Sequence, residues 1–247
     1  PPPFAQMERQ VLRHADGGLA GNHEAVDVWR RKGYTGPLEV IPQFGVDPAY
    51  FAPPLDAPPR EYFMIGYAGR LVSEKGVDLL IRAAARLPGK WVLRILGAGP
   101  ERDALGELAG VYNLAGSVSF EPPVPSTDMP GFYHGLDVLV LPSRARRNWK
   151  EQFGRVLIEA MACGVPVVGA RSGAIPEVIG EAGLLFAEND VDALAQCLQA
   201  LMERPRLRQQ LAAEGRARVL KQFTQQHVAD QTVAFYRRLM GVARPAG

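Results

Sequence analysis

The sequence has few of the residues that build metal, disulfide and redox centres. Only two cysteines and four histidines occur among its 247 residues. Cys163 and Cys197 lie in apolar helical patterns and form no paired motif, which is typical of small core side chains in a reducing compartment. The histidines share no spacing expected of metal ligands, and P-loop and nucleophile-elbow motifs are missing from the sequence. These absences argue against a zinc enzyme, a P-loop enzyme and a disulfide framework.

Long apolar runs and a strong excess of charge of one sign are missing as well. No run of about 18 apolar residues occurs, which argues against a membrane-spanning helix. The formal net charge is only +2, so no global field attracts nucleic acid. With 47% hydrophobic and 22% charged residues the composition is that of a globular protein, and we expect a cytoplasmic location and no nucleic-acid partner.

Proline, in contrast, is abundant at one internal site. Five prolines between residues 48 and 59 predict a linker. The pattern before the linker predicts helices over 4–13 and 23–32 and short strands over 18–21 and 38–41. Asn22 is suited to cap the second of these helices. We therefore divide the chain into a first segment over 1–48, a linker over 49–60, a main domain over 61–222 and a terminal helix within 223–247.

Strands and helices alternate regularly after the linker. The predicted strands are 62–67, 91–96, 118–120, 138–141, 165–168 and 183–186. The predicted helices are 75–87, one ending near 109, 128–134, 153–163, 190–202, 206–221 and 224–240. Such alternation implies parallel strands joined by right-handed crossovers. We predict an α/β fold, a Rossmann-like parallel sheet flanked by helices, with ligands at the carboxyl ends of the strands.

The stretch from Glu151 to Val168 is the most informative part of the main domain. It predicts a loop, a helix, a tight turn and a buried strand. Glu159 lies near the apolar face of the helix, and a buried carboxylate needs hydrogen-bond donors. Glu151 precedes the helix, with seven residues between the two acids. Either the acids serve a ligand, or Glu151 is a capping charge and Glu159 a structural carboxylate bonded to backbone.

A second candidate is the segment Gly69–Gly76, directly after the first strand of the main domain. Gly69 allows backbone to approach a ligand, Arg70 offers a planar fork of donors, and Lys75 places a compact charge near a helix start. Together these groups suit a diphosphate. The alternative is a surface loop with ordinary solvated charges.

Three further motifs have ordinary explanations beside the functional ones. Gly97-Ala98-Gly99 begins like a dinucleotide fingerprint, but a tight turn that lines a nucleotide pocket is the better interpretation. Asp190-Val191-Asp192 resembles a metal-binding pair, although helix capping explains both acids. The basic loop residues contact an anionic ligand or a membrane surface, or are simply solvated. These loop residues are Arg144, Arg146, Arg147 and Lys150.

The motifs, taken together and in order, resemble the carboxyl-terminal half of family 4 (group 1) glycosyltransferases. The matching residues are Gly69-Arg70-Leu71, Lys75-Gly76, Leu141-Pro142-Ser143, Glu151-x7-Glu159-Ala160-Met161-Ala162-x-Gly164-x-Pro166, Gly173-x-x-Pro176-Glu177 and Gly183-Leu184-Leu185-Phe186. The resemblance covers about residues 35–240. It implies a retaining enzyme of the GT-B fold, seen as its carboxyl-terminal domain with a remnant of the amino-terminal one.

The resemblance also implies roles for individual residues. Arg70 and Lys75 bind the donor diphosphate and stabilise the departing nucleotide, and Glu159 binds the ribose hydroxyls. Glu151 approaches the sugar hydroxyls, which makes Glu151, Arg70 and Lys75 the catalytic candidates. The full donor-binding set is Gly69, Arg70, Lys75, Gly97, Glu151, Phe153, Gly154 and Glu159, the backbone acting at Phe153 and Gly154. No metal and no cofactor is required, because the nucleotide-diphosphate sugar is the substrate.

The chain departs from the family pattern in two ways. Gln152 stands where glycine is common, which narrows the space near the sugar. Most of the amino-terminal acceptor domain is absent, and residues 1–45 look like its last helix–strand units. In the family the last helix crosses back to that domain. We therefore expect the missing domain and a nucleotide sugar as partners, together with either the inner face of a membrane or a lipid-linked acceptor. We expect the chain alone to transfer nothing.

Two other functions remain open at this point. A non-catalytic nucleotide-sugar binding module agrees with the missing domain. A dinucleotide-dependent oxidoreductase agrees with Gly97-x-Gly99.

Overall fold

The structure of the protein, a computed structural model, describes residues 2–56 and 60–241. The amino-terminal part contains two helices, α1 (Pro2–His14) and α2 (His23–Arg31), and two short strands, β1 (Gly18–Ala20) and β2 (Leu38–Val40). The two strands pair in parallel and form a small sheet of their own. Asn22 caps α2 as predicted, since its side chain accepts a hydrogen bond from the amide of Ala25 at 2.8 Å.

The main sheet is parallel and contains six strands of the described residues. They are β3 (Phe63–Ala68), β4 (Trp91–Leu96), β5 (Val118–Glu121), β6 (Val138–Leu141), β7 (Val167–Ala170) and β8 (Leu184–Phe186), in the spatial order β5-β4-β3-β6-β7-β8. All four residues of β6 are buried, as expected for a central strand covered on both faces. The strand order reverses between β3 and β6, and such a switch point opens a crevice at the carboxyl ends.

Helices cover the two faces of the main sheet. They are α3 (Val77–Ala84), α4 (Arg102–Val111), α5 (Met129–His134), α6 (Arg155–Ala162), α7 (Ile175–Ile179), α8 (Val191–Glu203) and α9 (Pro205–Gln222). The last helix, α10 (Gln225–Met240), is capped by Thr224, whose hydroxyl accepts from the amide of His227 at 3.0 Å. Most element bounds lie within one or two residues of the predicted ones.

Two predicted helices begin later than expected, and glycine is the reason in both. The helix predicted from Lys75 is a 3-10 turn over Ser73–Lys75 followed by α3, because Gly76 adopts a φ of 67° between them. The helix predicted from Phe153 starts only at Arg155, because Gly154 has a φ of 80° and is the N-cap. Phe153 therefore lies in the loop before α6.

The last helix returns to the small amino-terminal sheet. Phe235 of α10 is buried, and its ring lies with Leu239 where a side chain at Gly17 would be. Arg238 forms an ion pair with Glu39 of β2, and a parallel β-bridge joins Val46 to Thr224. The central residues of the predicted linker, 57–59, lie outside the described residues. The segment boundaries themselves stay predictions.

Candidate functional site

Loops that follow β3 and β6 meet at the switch point of the main sheet. The Lys75 ammonium lies 2.6 Å from Oε2 of Glu151, and the side chains are only 15% and 11% exposed. Ser143 donates its hydroxyl to the same oxygen at 3.0 Å. Glu151 is therefore not the helix-capping charge of the alternative interpretation, since its carboxylate binds Lys75 of the loop after β3 and Ser143 of its own loop.

The backbone of Glu151 is held by the loop before α7. Its carbonyl accepts a hydrogen bond from the amide of Ala174 at 2.9 Å. The neighbouring Gly173 has a φ of 52°, and a Cβ there would overlap the carbonyl oxygen of Glu151. The glycine thus permits the close approach that fixes the position of this acid.

A tryptophan packs against the lysine of this pair. The Nζ of Lys75 lies 5.0 Å from the centroid of the Trp149 ring, within the range of a cation–π interaction. Trp149 is held by a pair of backbone hydrogen bonds with Arg146, at 2.7 and 3.2 Å, which close a tight turn. The lysine is therefore enclosed on two sides, by a carboxylate and by an aromatic face.

The second acid, Glu159, faces inward from α6 as predicted and is only 3% exposed. Tyr133 of α5 donates its hydroxyl to Oε2 at 2.6 Å, and Arg155 donates Nε–H to Oε1 at 2.6 Å. The donors are side chains and not backbone amides. The alternative that Glu159 is a structural carboxylate bonded to backbone is therefore wrong about its partners. Burial and the adjacent carboxylate raise the pKa of Tyr133, so its hydroxyl stays a donor at neutral pH.

A groove of about 490 Å³ joins Glu159 to the start of the Gly69–Gly76 segment. The ends of β3 and β4, the loop after β5, and α6 form its walls, with Gly69, Arg70, Gly97 and Arg155 among the lining residues. The resemblance implied that Arg70, Lys75 and Glu159 share one donor site. Arg70 and Glu159 do line this groove together, and their roles in binding stay predictions. Lys75 does not line the groove; it lies beside it, paired with Glu151.

The floor of the groove requires glycine where the two strand-end loops touch. Gly97 has a φ of 148°, and a Cβ on it would overlap the carbonyl oxygen of Gly69. The amide of Gly69 donates to the carbonyl of Leu96 at 3.0 Å, so the loops continue the strand pairing past β3 and β4. Tyr67 fixes the next residue, since its hydroxyl donates to the carbonyl of Arg70 at 2.8 Å.

The first turn of α6 presents its amides at the same edge. Gly154, the N-cap, makes no side-chain capping bond. The Phe153 ring is buried and packs against Phe44 and Phe223, with centroid distances of 5.7 and 5.9 Å. The side chain of Phe153 is thus part of the packing, and a role for its backbone in binding stays a prediction.

Arg155 lines the groove and pairs with Glu159, although it was not among the residues predicted from the sequence. Its position four residues before Glu159 on a helix was the available signal, because such pairs face each other. Its guanidinium also lies 5.8 Å from the centroid of the Phe44 ring.

A second cleft, of about 740 Å³, lies between α2 and the loop over 146–152. Trp29 and Trp149 line it together with Glu151. Asn22 bridges its two sides, since its amide nitrogen donates to the carbonyl of Gln152 at 2.9 Å. Gln152, the residue noted for narrowing the sugar region, thus uses its backbone to bind the amino-terminal part.

The basic loop is less uniform than its sequence indicates. Arg144 is mostly buried, pairs with Asp78, and donates to the carbonyl of Ser73 at 2.9 Å. It is therefore a structural residue and not a solvated one. Lys150 pairs with Glu24 across the second cleft, whereas Arg146 and Arg147 are exposed on its rim.

The acidic pair after β8 is explained by local structure. Asp190 accepts the amide of Ala193 at 2.8 Å and caps α8, and Asp192 pairs with Arg86. Residues 2–56 and 60–241 contain no group of three or more metal-ligating side chains. Over the same residues, every helix is too short or too polar to cross a bilayer.

Comparison with known sequences shows that this chain is similar to glycosyltransferases. The family model described as "Glycosyl transferases group 1" matches residues 56–218. A GDP-mannose-dependent alpha-(1-6)-phosphatidylinositol monomannoside mannosyltransferase from Mycolicibacterium smegmatis is 36% identical over 199 residues, 74% of this chain and 52% of the relative. The chain spans about half the length of the curated relatives it matches.

Solved structures agree with this result. Sucrose-phosphate synthase from Thermosynechococcus elongatus aligns with a TM-score of 0.83 and 28% identity, covering 98% of this chain and 62% of that chain. The C-terminal domain of a glycosyl transferase group 1 family protein from Francisella tularensis aligns with a TM-score of 0.64 and 28% identity, covering 73% of this chain and 100% of that chain. The predicted fold class, the α/β sheet of a GT-B carboxyl-terminal domain, is confirmed.

Proposed function

Since the chain belongs to the group 1 glycosyltransferases, we propose that it is the donor-binding part of a retaining, metal-independent enzyme of family 4. In this proposal a sugar moves from a nucleotide-diphosphate sugar to an acceptor hydroxyl. One observation carries it: Arg70 and the buried carboxylate of Glu159 line a single groove at the carboxyl ends of the strands. This edge is where α/β sheets bind nucleotides.

The groups in the groove match the parts of a nucleotide. The carboxylate of Glu159 accepts hydrogen bonds from the ribose hydroxyls. Arg70 is 63% exposed and only weakly held, at 3.8 Å from Glu74, so it is available to a diphosphate. The amides at the start of α6 add the positive end of a helix dipole.

The Lys75–Glu151 pair is the proposed reacting end of the site. Glu151 accepts hydrogen bonds from hydroxyls of the transferred sugar, and Lys75 stabilises charge on the departing diphosphate. Negative charge develops on that leaving group as the sugar bond breaks, and fixed cations stabilise it more than they stabilise the ground state. The cations of this site supply that stabilisation without a metal ion.

The second cleft is the proposed entry of the acceptor. It reaches Glu151 and has Arg146 and Arg147 on its rim, charges that suit an acceptor with a phosphate group. The mannosyltransferase relative acts, by its name, on a phosphatidylinositol derivative. We extend the proposal to a lipid-linked acceptor, used on the cytoplasmic face of the membrane.

A thermal-shift panel tests the donor class. UDP-, GDP- and ADP-sugars, together with NAD, are added to the protein, and one class of nucleotide sugar is expected to raise the melting temperature by several degrees while NAD does not. Stabilisation by NAD alone would instead favour the oxidoreductase interpretation of Gly97-x-Gly99. Binding without transfer by the longest native form of the protein would favour the non-catalytic module.

The chain alone is expected to bind a donor and to transfer nothing. Catalysis requires an amino-terminal domain of the same protein that excludes water and positions the acceptor. An assay for nucleoside diphosphate release from the identified donor measures this, and sustained release together with glycosylated acceptor would contradict it.

A further inference from the structure

We propose that Arg155 is a third cationic residue of the donor site, which binds the donor diphosphate from the side of the ribose while it holds Glu159. This inference rests on the proposed function of the groove as a donor site. The family resemblance assigns no role to this position.

The guanidinium of Arg155 is only partly used by the protein. Its Nε–H group donates to Glu159, and within the described residues its two terminal nitrogens make no hydrogen bond. The side chain is 48% exposed and lines the same groove as Arg70. Four N–H groups of a planar fork therefore remain for a ligand, and such a fork matches a phosphate.

Binding of Arg155 to Glu159 leaves room for a ribose. A carboxylate offers about four lone-pair sites. Tyr133 occupies one site on Oε2 and Arg155 one on Oε1, so each oxygen can still accept a hydroxyl. The arginine and a ribose thus share the acid, so the guanidinium lies beside the ribose that the acid binds.

The position of Arg155 on α6 points to the phosphates. It is the first residue of the helix, directly after the N-cap Gly154. An anion at the amides of this first turn lies within reach of the side chain of the same residue. Lys75 lies beside the groove, paired with Glu151, and Arg70 and Arg155 are the two cations that line the groove among the described residues.

A simple structural role makes a different prediction. If Arg155 acted only by orienting Glu159, its loss would weaken every ligand that contains ribose by the same factor. If Arg155 binds phosphate, the loss of affinity caused by its substitution is smallest for a nucleoside, larger for a nucleoside monophosphate and largest for a nucleoside diphosphate. The ligand series separates the two roles even though both involve Glu159.

Calorimetric titration of the full chain provides the test. The probes are uridine, UMP and UDP, together with guanosine, GMP and GDP, and the variants are Arg155→Leu and Arg155→Lys. We expect Arg155→Leu to weaken the diphosphate by roughly tenfold or more and the nucleoside by less than about threefold. Arg155→Lys keeps the charge but not the planar fork of donors. Its affinity for the diphosphate is expected to lie between those of the unsubstituted chain and Arg155→Leu.

Each result has a defined meaning. An equal loss for nucleoside and diphosphate, or no loss for either, overturns the inference while the donor site stands. Absence of binding of any nucleotide to the unsubstituted chain overturns the proposed function, and the inference falls with it. Circular dichroism and thermal melting show whether both variants fold. If Arg155→Leu does not fold, the affinities of Arg155→Lys decide the question.

Discussion

Lys75 and Glu151 form a short, mostly buried ion pair across the switch point of the sheet, with 2.6 Å between Nζ and Oε2. One residue follows β3 and the other precedes α6, so the pair ties together the two halves of the sheet. Each is a catalytic candidate from the sequence, yet each satisfies the other here. A donor phosphate that binds Lys75, or a sugar hydroxyl that binds Glu151, would either compete with this ion pair or add a further contact to it.

A double-mutant cycle measures how strongly the two residues are coupled. Lys75→Met or Glu151→Gln alone removes one charge and leaves the other largely buried without its partner. We expect either single variant to lower the free energy of unfolding by roughly 1–3 kcal/mol. The double variant should lose clearly less than the sum of the two single losses. Urea denaturation gives the values. The exposed pair Lys90–Glu61 is the control, with coupling of about 0.5 kcal/mol or less, and strict additivity at the buried pair would contradict the expectation.

Removal of the charge on Glu159 should weaken ribose recognition. Glu159→Gln keeps the size of the side chain but lowers the strength of its hydrogen bonds to hydroxyl groups. We expect roughly tenfold weaker binding of the preferred nucleotide and a reduced preference for ribose over 2′-deoxyribose, both measured by calorimetry. Glu177→Gln, at the exposed pair with His23, is the matched control and should leave both unchanged. A variant that keeps its full ribose preference would remove Glu159 from the site.

Addition of one methyl group to the floor of the groove should disrupt it. Gly97→Ala forces a Cβ into the carbonyl of Gly69 and also demands an unfavourable φ. We expect a loss of about 2 kcal/mol or more in the free energy of unfolding, with donor binding lost. Gly110→Ala is the control, since a Cβ there meets no atom within 4 Å and lies in α4. Gly110→Ala should be neutral or stabilising by about 0.5–1 kcal/mol. Equal effects of Gly97→Ala and Gly110→Ala would argue against the close contact between Gly97 and Gly69.

Loss of the Tyr133 hydroxyl should affect both stability and binding. Tyr133→Phe leaves Oε2 of the buried Glu159 without its donor, which costs about 1–3 kcal/mol in the free energy of unfolding. Nucleotide affinity is expected to fall too, because the carboxylate loses one of its two fixed contacts. Tyr112→Phe removes a hydroxyl on the surface and should change neither quantity measurably. A Tyr133→Phe protein as stable as the parent would show that solvent replaces the bond.

Buried tyrosines also predict how stability depends on pH. Burial, together with nearby glutamates, raises the pKa of Tyr67 and Tyr133 above the ordinary value of about 10. The unfolded chain therefore ionises these hydroxyls at a lower pH than the folded chain does. The contribution of the two tyrosines to the free energy of unfolding is therefore fully present below pH of about 10 and falls as pH rises further. Urea denaturation between pH 8 and 11 should show the fall, and the double variant Tyr67→Phe/Tyr133→Phe should flatten it.

Much of the fold was predictable because its signals are local. Alternating strand and helix patterns and the caps at Asn22 and Asp190 are each read from a few neighbouring residues. The sequence also indicated that Glu159 faces inward and shares a pocket with Arg70. Late helix starts at Gly76 and Gly154 were missed, because a glycine can end or begin a helix and the pattern alone does not say which.

The pairing of side chains was far less predictable, because it depends on loops that are distant in sequence. Nothing local indicates that Lys75 binds Glu151, 76 residues later, or that Arg144 is buried against Asp78. Arg155 was missed although it lies one helical turn from Glu159, since an exposed arginine at a helix start is ordinary. The proposed roles of the site residues in binding and catalysis stay predictions until the ligand experiments are done.

The bridge between Val46 and Thr224 has a mechanical consequence. Val46 lies after the small sheet and Thr224 directly before α10, which returns to that sheet, so the bridge holds the two crossings of the chain side by side at one point. Gly45 leaves no space between them, since a Cβ there would lie 2.7 Å from the backbone of Gln225. Any change in the angle between the small sheet with α10 and the main sheet would therefore have to bend both crossings together.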